Sequence, residues 1–453
     1  MVSKTVVVAC LLVICPFGRA QTNLFKGFQK AGRDGLIDDV PTTTLSNKQK
    51  FPLIGLGVGN LPANKVVDMV YNALKSDAKI RLIDTAHASR NEELVAKGIT
   101  AGVQRFKDST KTEGRVQVHV VTKVWYTHLG YQRTKLSVDE SLAALESAIM
   151  DENVDLKVHV LIHWPRCYEG IEWMNCAEEE KNLPQYVKDA GPDPHLDKEN
   201  AWKQSWKALE DIYNSPDYPV IASIGVSNFS DDDMDELIRV ATVKPHILQM
   251  NVWSLLNDPP SVDVCNKNDI HMQVFNVMNG IVLRDELCPH AQHHLLKVAN
   301  DISKTLDKVP VTASQVVLKW LLQMGISVVP RSISEGELFE NSAVELAKIP
   351  DLSEDHLEVV AHSISAMLSG EDVEEDVHVK VTFHAKNQDM FLYWFRDEET
   401  EKQISYIGKG ESFEESTHPN HRFRVYNAYD PDIYYDHKVQ GTYGDHEQVH
   451  VEL

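Results

Sequence analysis

Basic side chains are in the minority. In 453 residues, 45 Lys and Arg stand against 67 Asp and Glu, a formal net charge of −22. Such a field repels phosphate backbones and anionic membrane surfaces, so neither nucleic acid nor a membrane is expected as a partner. Beyond the first twenty residues no apolar run is long enough to span a bilayer. There is no internal repeat and no low-complexity tract. Cysteine is sparse, and the spacing of Cys167, Cys176, Cys265 and Cys288 does not suggest a zinc site; no metal is expected. The run GLGVG (55–59) lacks the rest of a dinucleotide-binding glycine fingerprint, which weakens the case for an open doubly wound sheet.

What is present is an ordinary globular composition, 43% hydrophobic and 25% charged, in a chain long enough for two domains, one of them large. The chain opens with Lys4, an apolar stretch from Val6 to Phe17, and small residues before Gln21. This pattern predicts a signal peptide over 1–20, and hence the secretory pathway, either secretion or the ER lumen. Cys10 and Cys15 would leave with it. The four remaining cysteines permit disulfides in an oxidising compartment, and CYEGIEWMNC (167–176) is able to close a short loop; free buried thiols are the alternative. The C-terminal His-Val-Glu-Leu approximates an ER-retention address, or ends a last strand.

From about Pro52 to Leu352, short Val- and Ile-rich runs alternate with amphipathic stretches such as VDESLAALESAIM and TASQVVLKWLLQM. The strand candidates are LIGLGV (53–58), IRLI (80–83), VQVHVVT (116–122), LKVHVLI (156–162), VIASIGV (220–226), HILQM (246–250), IHMQVF (270–275) and ISVVP (326–330). Eight strand–helix units imply a parallel sheet covered on both faces, closed into a (β/α)8 barrel. A long acidic insert (166–200) follows the fourth strand and is expected over the barrel mouth, as a lid, a binding loop or a partly disordered segment. Past an acidic linker (367–376) the apolar period changes to two: VHVKVTF, MFLYWF, RFRVY and EQVHV. That change predicts a small all-β sandwich over 377–453.

Active sites of such barrels lie just past the C-terminal ends of the strands. There the sequence puts Asp84, Lys123, His163, Ser227 with Asn228, and Arg331 with Ser332, and the sixth strand itself carries Gln249. An acid, an amine and an imidazole on three successive strands make a pocket the better reading.

The motifs FPLIGLGVG, RLIDTAHASRNEE, VVTKVW, VLIHWP, IGVSNFS and VVPRSISEGELFEN stand in the order of the aldo-keto reductases, and residues 41–366 resemble that family. The resemblance implies a TIM barrel that reduces aldehyde or ketone carbonyls with NADPH or NADH. It implies that Asp84 and Lys123 form the pair that acidifies a catalytic tyrosine and that His163 orients the carbonyl oxygen. Ser227, Asn228 and Gln249 would grip the nicotinamide carboxamide, and Phe275 would stack on its ring. Arg331, Ser332 and Asn341 would meet the adenosine end. His87, Trp125 and Trp164 would line the substrate pocket.

Two departures matter. The tyrosine position holds Ser89, whose hydroxyl is shorter and far less acidic than a phenol near pKa 10. His87 and His163 are candidate substitute acids, since an imidazolium is competent near neutral pH. Glu337 stands where NADPH users place an arginine; a carboxylate repels a phosphate but accepts hydrogen bonds from a ribose diol. A reductase and a non-catalytic cofactor-binding or scaffold protein both fit. The sequon Asn228-Phe229-Ser230 falls at a buried strand end and is expected unmodified.

Residues 377–450, through VTFHAKNQDMFLYWF and IGKGESFEESTHPNHRFRVYNA, resemble the β-domain of the von Hippel–Lindau tumour suppressor family, without its adaptor-binding helical part. That resemblance implies a small hydroxyproline pocket at Thr417, His421 and Phe423, with Ile404 near the place of the pocket tyrosine. A generic peptide-contact or packing module is the alternative.

Overall fold

The computed structural model describes residues 36–37, 40–75, 77–277, 287–306, 309–373, 379–395, 401–417, 421–440 and 446–453. The expected signal peptide and most of the segment 21–40 lie outside the described residues.

A three-stranded antiparallel sheet comes first: β1 (Leu36–Ile37), β2 (Val40–Thr44) and β3 (Lys50–Pro52). Eight parallel strands follow: β4 (Leu56–Gly57), β5 (Leu82–Asp84), β6 (Val116–Val124), β7 (Val154–Ile162), β8 (Ile221–Ser227), β9 (Ile247–Asn251), β10 (His271–Phe275) and β11 (Ser327–Val329). They pair in chain order, β4 to β11. The ends then meet. Ile54 bridges Val328 in parallel, Gly55 N donates to Val328 O at 2.9 Å, and Gly57 N donates to Pro330 O at 3.0 Å. The sheet is therefore a closed barrel with no free edge.

Closure also explains the glycine run. A Cβ on Gly55 would lie 2.8 Å from Leu82 Cγ and 2.9 Å from Val329 Cγ1. These glycines serve strand-to-strand approach rather than phosphate binding. Gly225 is tighter still: a Cβ there would sit 2.3 Å from Ile247 O. Between the strands the predicted helices form. Thr312 caps the helix Ala313–Gln323 through a reciprocal box with Gln315. The stretch VDESLAALESAIM is split into Tyr131–Ala144 and Glu146–Ile149 around Leu145.

Phe51, from the N-terminal hairpin, fills the barrel interior with Leu45, Leu82, Val121, Leu161, Ile247 and Val329. It meets the rings of His159 at 4.9 Å, His271 at 5.6 Å and His119 at 6.2 Å. These imidazoles are hydrogen-bonded inside the core, His119 Nδ1 to His159 Nε2 at 2.9 Å, His159 Nδ1 to Ser223 Oγ at 2.6 Å, and His271 Nε2 to Ser327 Oγ at 2.6 Å. Burial holds all three below the ordinary histidine pKa, His119 at about 3 and His271 at about 4, so they are neutral.

The last helix runs Glu354–Ser369 and ends at Gly370 in the left-handed region, φ 74°. Helix thus extends three residues into the segment expected to be linker, because Val360, Ile364 and Met367 keep one apolar face on the barrel core. Asp372 then caps the helix Pro289–Thr305, accepting from His290 N and Ala291 N at 3.0 Å each.

The C-terminal region forms two sheets. One orders β15 (Ser412–Thr417), β12 (Val379–Ala385) and β18 (His446–Val451). The other orders β14 (Glu401–Ile407), β13 (Met390–Phe395), β16 (Arg422–Asn427) and β17 (Tyr434–Lys438). Val381, Phe383, Leu392, Phe423 and Val425 belong to a core distinct from that of the barrel. Among the described residues no helix is long and apolar enough to cross a membrane.

Candidate active site at the mouth of the barrel

Strands β5, β6 and β9 meet at a shared carboxylate. Lys123 Nζ donates to Asp84 Oδ1 at 2.7 Å and to Thr85 O at 2.6 Å. Gln249 Nε2 donates to the same Asp84 oxygen at 2.6 Å and to Gln273 Oε1 at 2.7 Å. The Asp84 and Lys123 side chains are 11% and 5% exposed, so this is a desolvated pair with its hydrogen bonds largely supplied. Gln273, from β10, belongs to the constellation but was not foreseen, because a glutamine inside an apolar strand carries no motif.

The Asn-Glu half of the β5 motif is structural. Asn91 Nδ2 donates to Val58 O at 2.9 Å, Thr85 hydrogen-bonds Asn91, and Thr122 hydrogen-bonds Glu92. Together they pin a 3-10 turn, His87–Ser89, at the rim. Ser89 is half-buried on that turn, and a Cβ on Gly59 would stand 3.2 Å from its hydroxyl oxygen.

His163 follows β7 and takes Val124 O with its backbone N–H at 2.9 Å. Its Nδ1 is buried without a partner among the described residues. Burial, reinforced by the Lys123 ammonium, holds its pKa well below the ordinary value. The charged form is disfavoured there, and a neutral ring offers one N–H donor to an oxygen. The His87 Nε2 is 2.8 Å from Glu140 Oε2.

Trp125 packs on the His163 ring at 4.8 Å, and Trp164 lies 5.8 Å from Trp173 and 6.0 Å from Tyr168. Trp173 and Tyr168 come from the acidic insert, which is folded. A disulfide joins Cys167 to Cys176, and the helices Cys176–Asn182 and Gln185–Ala190 follow. Glu179 accepts from Trp125 Nε1 at 2.7 Å and from the Tyr126 hydroxyl. Glu180 takes a forked pair from buried Arg133 at 2.8 and 2.9 Å. The insert is thus clamped to the mouth, with Trp173 59% exposed above the Trp125–Trp164 wall. Cys265 and Cys288 are buried thiols outside that disulfide.

On the other side of the mouth, Ser227 is buried and Asn228 adopts φ 58°. Asn228 Nδ2 donates to His163 O at 3.0 Å and Ser227 Oγ at 3.1 Å, an amide held inward. Phe275 is half-buried at the end of β10. Arg331 is exposed, Ser332 is buried, and buried Asn341 keeps its Oδ1 without a partner among the described residues. Glu337 is exposed, and its carboxylate accepts from Ile333 N at 2.9 Å. In the C-terminal sheets Thr417 Oγ1 meets His421 Nδ1 at 2.8 Å and the Trp394 ring lies 5.5 Å from His421. Phe423 is 1% exposed and packs on Phe383, so it is a core residue rather than a pocket wall.

The barrel matches solved structures with a common fold. It aligns with an aldo/keto reductase from Brucella melitensis at TM-score 0.51 and 23% identity, covering 72% of this chain and 99% of that one. A Bombyx mori aldo-keto reductase in complex with NADP aligns at TM-score 0.51 and 19% identity, covering 72% and 92%. In sequence the chain is 28% identical over 306 residues to the glyoxal reductase of Bacillus subtilis, covering 67% of this chain and 86% of the relative. It is 27% identical over 326 residues to the NAD(P)H-dependent D-xylose reductase of Kluyveromyces lactis, covering 71% and 91%. The model of the Aldo/keto reductase family matches residues 53–361, and on that match the chain belongs to the aldo/keto reductase family.

Proposed function

We propose that this protein is an NAD(P)H-linked oxidoreductase acting on aldehyde or ketone carbonyls, with its proton supply weakened by Ser89. The observation that carries the reading is the buried Lys123–Asp84 pair at 2.7 Å, on strand ends adjoining the neutral His163.

The residues fit a nicotinamide dinucleotide. Ser227, Asn228 and Gln249 offer donors and acceptors for a carboxamide, and Phe275 offers a ring face. Ser332, Arg331 and the unpartnered Asn341 Oδ1 suit an adenosine end. When bound, that group supplies the hydride. Relatives named for NAD(P)H dependence support this choice. Neutral His163 donates one hydrogen bond to the carbonyl oxygen, and the Trp125, Trp164 and Trp173 wall excludes water and selects apolar or aromatic carbonyls. The Lys123 ammonium stabilises the charge developing on that oxygen. Ser89 carries a hydroxyl that does not reach as far as a phenol, so the proton comes through water.

Fluorescence titration with NADPH and NADH, followed by aldehyde turnover, tests the reading. Both cofactors should bind with weak discrimination, and turnover should be low. Tight cofactor binding without any turnover would favour a second reading that Ser89 itself supports: a non-catalytic cofactor-binding or scaffold protein. In either case we assign the chain to the secretory pathway, from its N-terminal pattern. For the C-terminal sandwich, the von Hippel–Lindau likeness and the Thr417–His421 pair support peptide contact, with hydroxyproline as the ligand to try first.

A further inference from the structure

Three ligand-type side chains from separate elements converge at the rim of the barrel. His87 opens the turn after β5, His128 ends the turn Tyr126–His128 after β6, and Glu140 lies on the helix Tyr131–Ala144. His87 Nε2 stands 2.8 Å from Glu140 Oε2, and the two imidazole centroids are 4.7 Å apart. One donor atom from each of the three lies within 4.8 Å of the others. We propose that His87, His128 and Glu140 bind a divalent transition-metal ion of the zinc class.

The donor set selects the ion. Two imidazoles and one carboxylate suit borderline cations such as Zn²⁺, whereas Ca²⁺ and Mg²⁺ require oxygen ligands. Ligands about 2.0–2.2 Å from a tetrahedral ion are themselves roughly 3.3 Å apart, so the cluster reaches that geometry by small side-chain rotations. Outer partners already orient it. The Thr127 hydroxyl lies 3.0 Å from His128 Nδ1, which leaves Nε2 for the ion. The Tyr186 hydroxyl donates to Glu140 Oε1 at 2.8 Å, which leaves Oε2.

His87 and Glu140 are 19% and 29% exposed, which provides an entry path and a water for the remaining position. Two cations lie near His128. Arg133 is committed to Glu180, and Arg90 is exposed. A bound ion would fasten the Ser89-bearing turn to the helix Tyr131–Ala144 and, through Tyr186, to the insert. Cysteine spacing gave no hint of it, since its ligands are His and Glu spread over 53 residues. The inference is independent of the reductase reading.

The test uses the full chain, stripped with a chelator and titrated with Zn²⁺ against a chromogenic competitor. One ion per chain should bind. His87→Ala and Glu140→Gln should each weaken binding by about tenfold or more. His195→Ala, which removes an imidazole 2.8 Å from Glu169 on the insert, should leave it unchanged. In the unmutated protein, Zn²⁺ should protect His87 and His128 from diethyl pyrocarbonate, a readout that needs no variant. Lack of stoichiometric Zn²⁺ binding, unprotected His87, or equal affinity in the His87→Ala and Glu140→Gln proteins would each overturn the site.

Discussion

The Lys123 ammonium lies 2.7 Å from Asp84 Oδ1 and spends a second N–H on Thr85 O at 2.6 Å; its third N–H has no partner among the described residues. That third donor is what a phenol in place of Ser89 would need. Ser89→Tyr should therefore raise aldehyde turnover, by up to about 10²–10⁴-fold. Lys123→Met in that background should remove most of the gain, because an unassisted phenol titrates near 10. A folded, cofactor-binding Ser89→Tyr protein as slow as its parent would remove the reductase reading.

On the proposed reading, cofactor choice turns on Glu337, which is exposed and whose carboxylate accepts from Ile333 N at 2.9 Å. Glu337→Arg should tighten NADPH by about 1–3 kcal/mol and leave NADH nearly unchanged. Parallel titrations of the two cofactors read the difference directly. An equal change for both would mean that the side chain acts only on its own loop.

Acid should destabilise the barrel before its carboxylates titrate. His119, His159 and His271 are held neutral by burial, with folded pKa values below the unfolded value near 6.5. The unfolded chain thus binds protons that the folded one refuses, and stability falls as pH drops below 6.5. Each imidazole costs up to about 1.4 kcal/mol per pH unit between 6.5 and 5. Denaturant midpoints at pH 7.5, 6 and 5 should decline in that order; a flat profile would mean these rings are charged or solvated.

The bond between Cys167 and Cys176 closes a short loop that carries Tyr168 and Trp173. Losing a loop of this length costs about 2–3 kcal/mol of order, felt locally. Cys176→Ser should make the insert cleavable by dilute protease and raise KM for aromatic aldehydes while the barrel melts as before. An unchanged KM would separate Trp173 from the substrate.

Terminal sequencing from the native host should find a mature chain starting near Gln21. An intact Met1 or Val2 would remove the assignment to the secretory pathway.

The strands were legible because barrel strands are buried on both faces. Runs such as VQVHVVT and LKVHVLI read as continuous apolar segments, and β6 and β7 extend them by only two residues. Asp84, Lys123 and His163 were legible because each ends such a run, whereas Gln249 lies inside its strand and was marked by the family resemblance. Their partners were not. Gln273 sits within an apolar strand, and Trp173 becomes a pocket wall only once a disulfide and the Glu179 and Glu180 contacts fold the insert back. The charge state of His163 was also hidden, because it follows from burial rather than from residue type. In the C-terminal region four apolar strands were visible. β14, β15 and β17 were not, since their exposed charged positions mask the alternation.

Asp372 accepts two helix N-terminal amides from the barrel, so the connector is riveted in place up to Val373. From there to Val379 is six residue steps, about 20 Å at full extension. A ligand captured by the C-terminal sheets is therefore tethered to the barrel at high effective concentration.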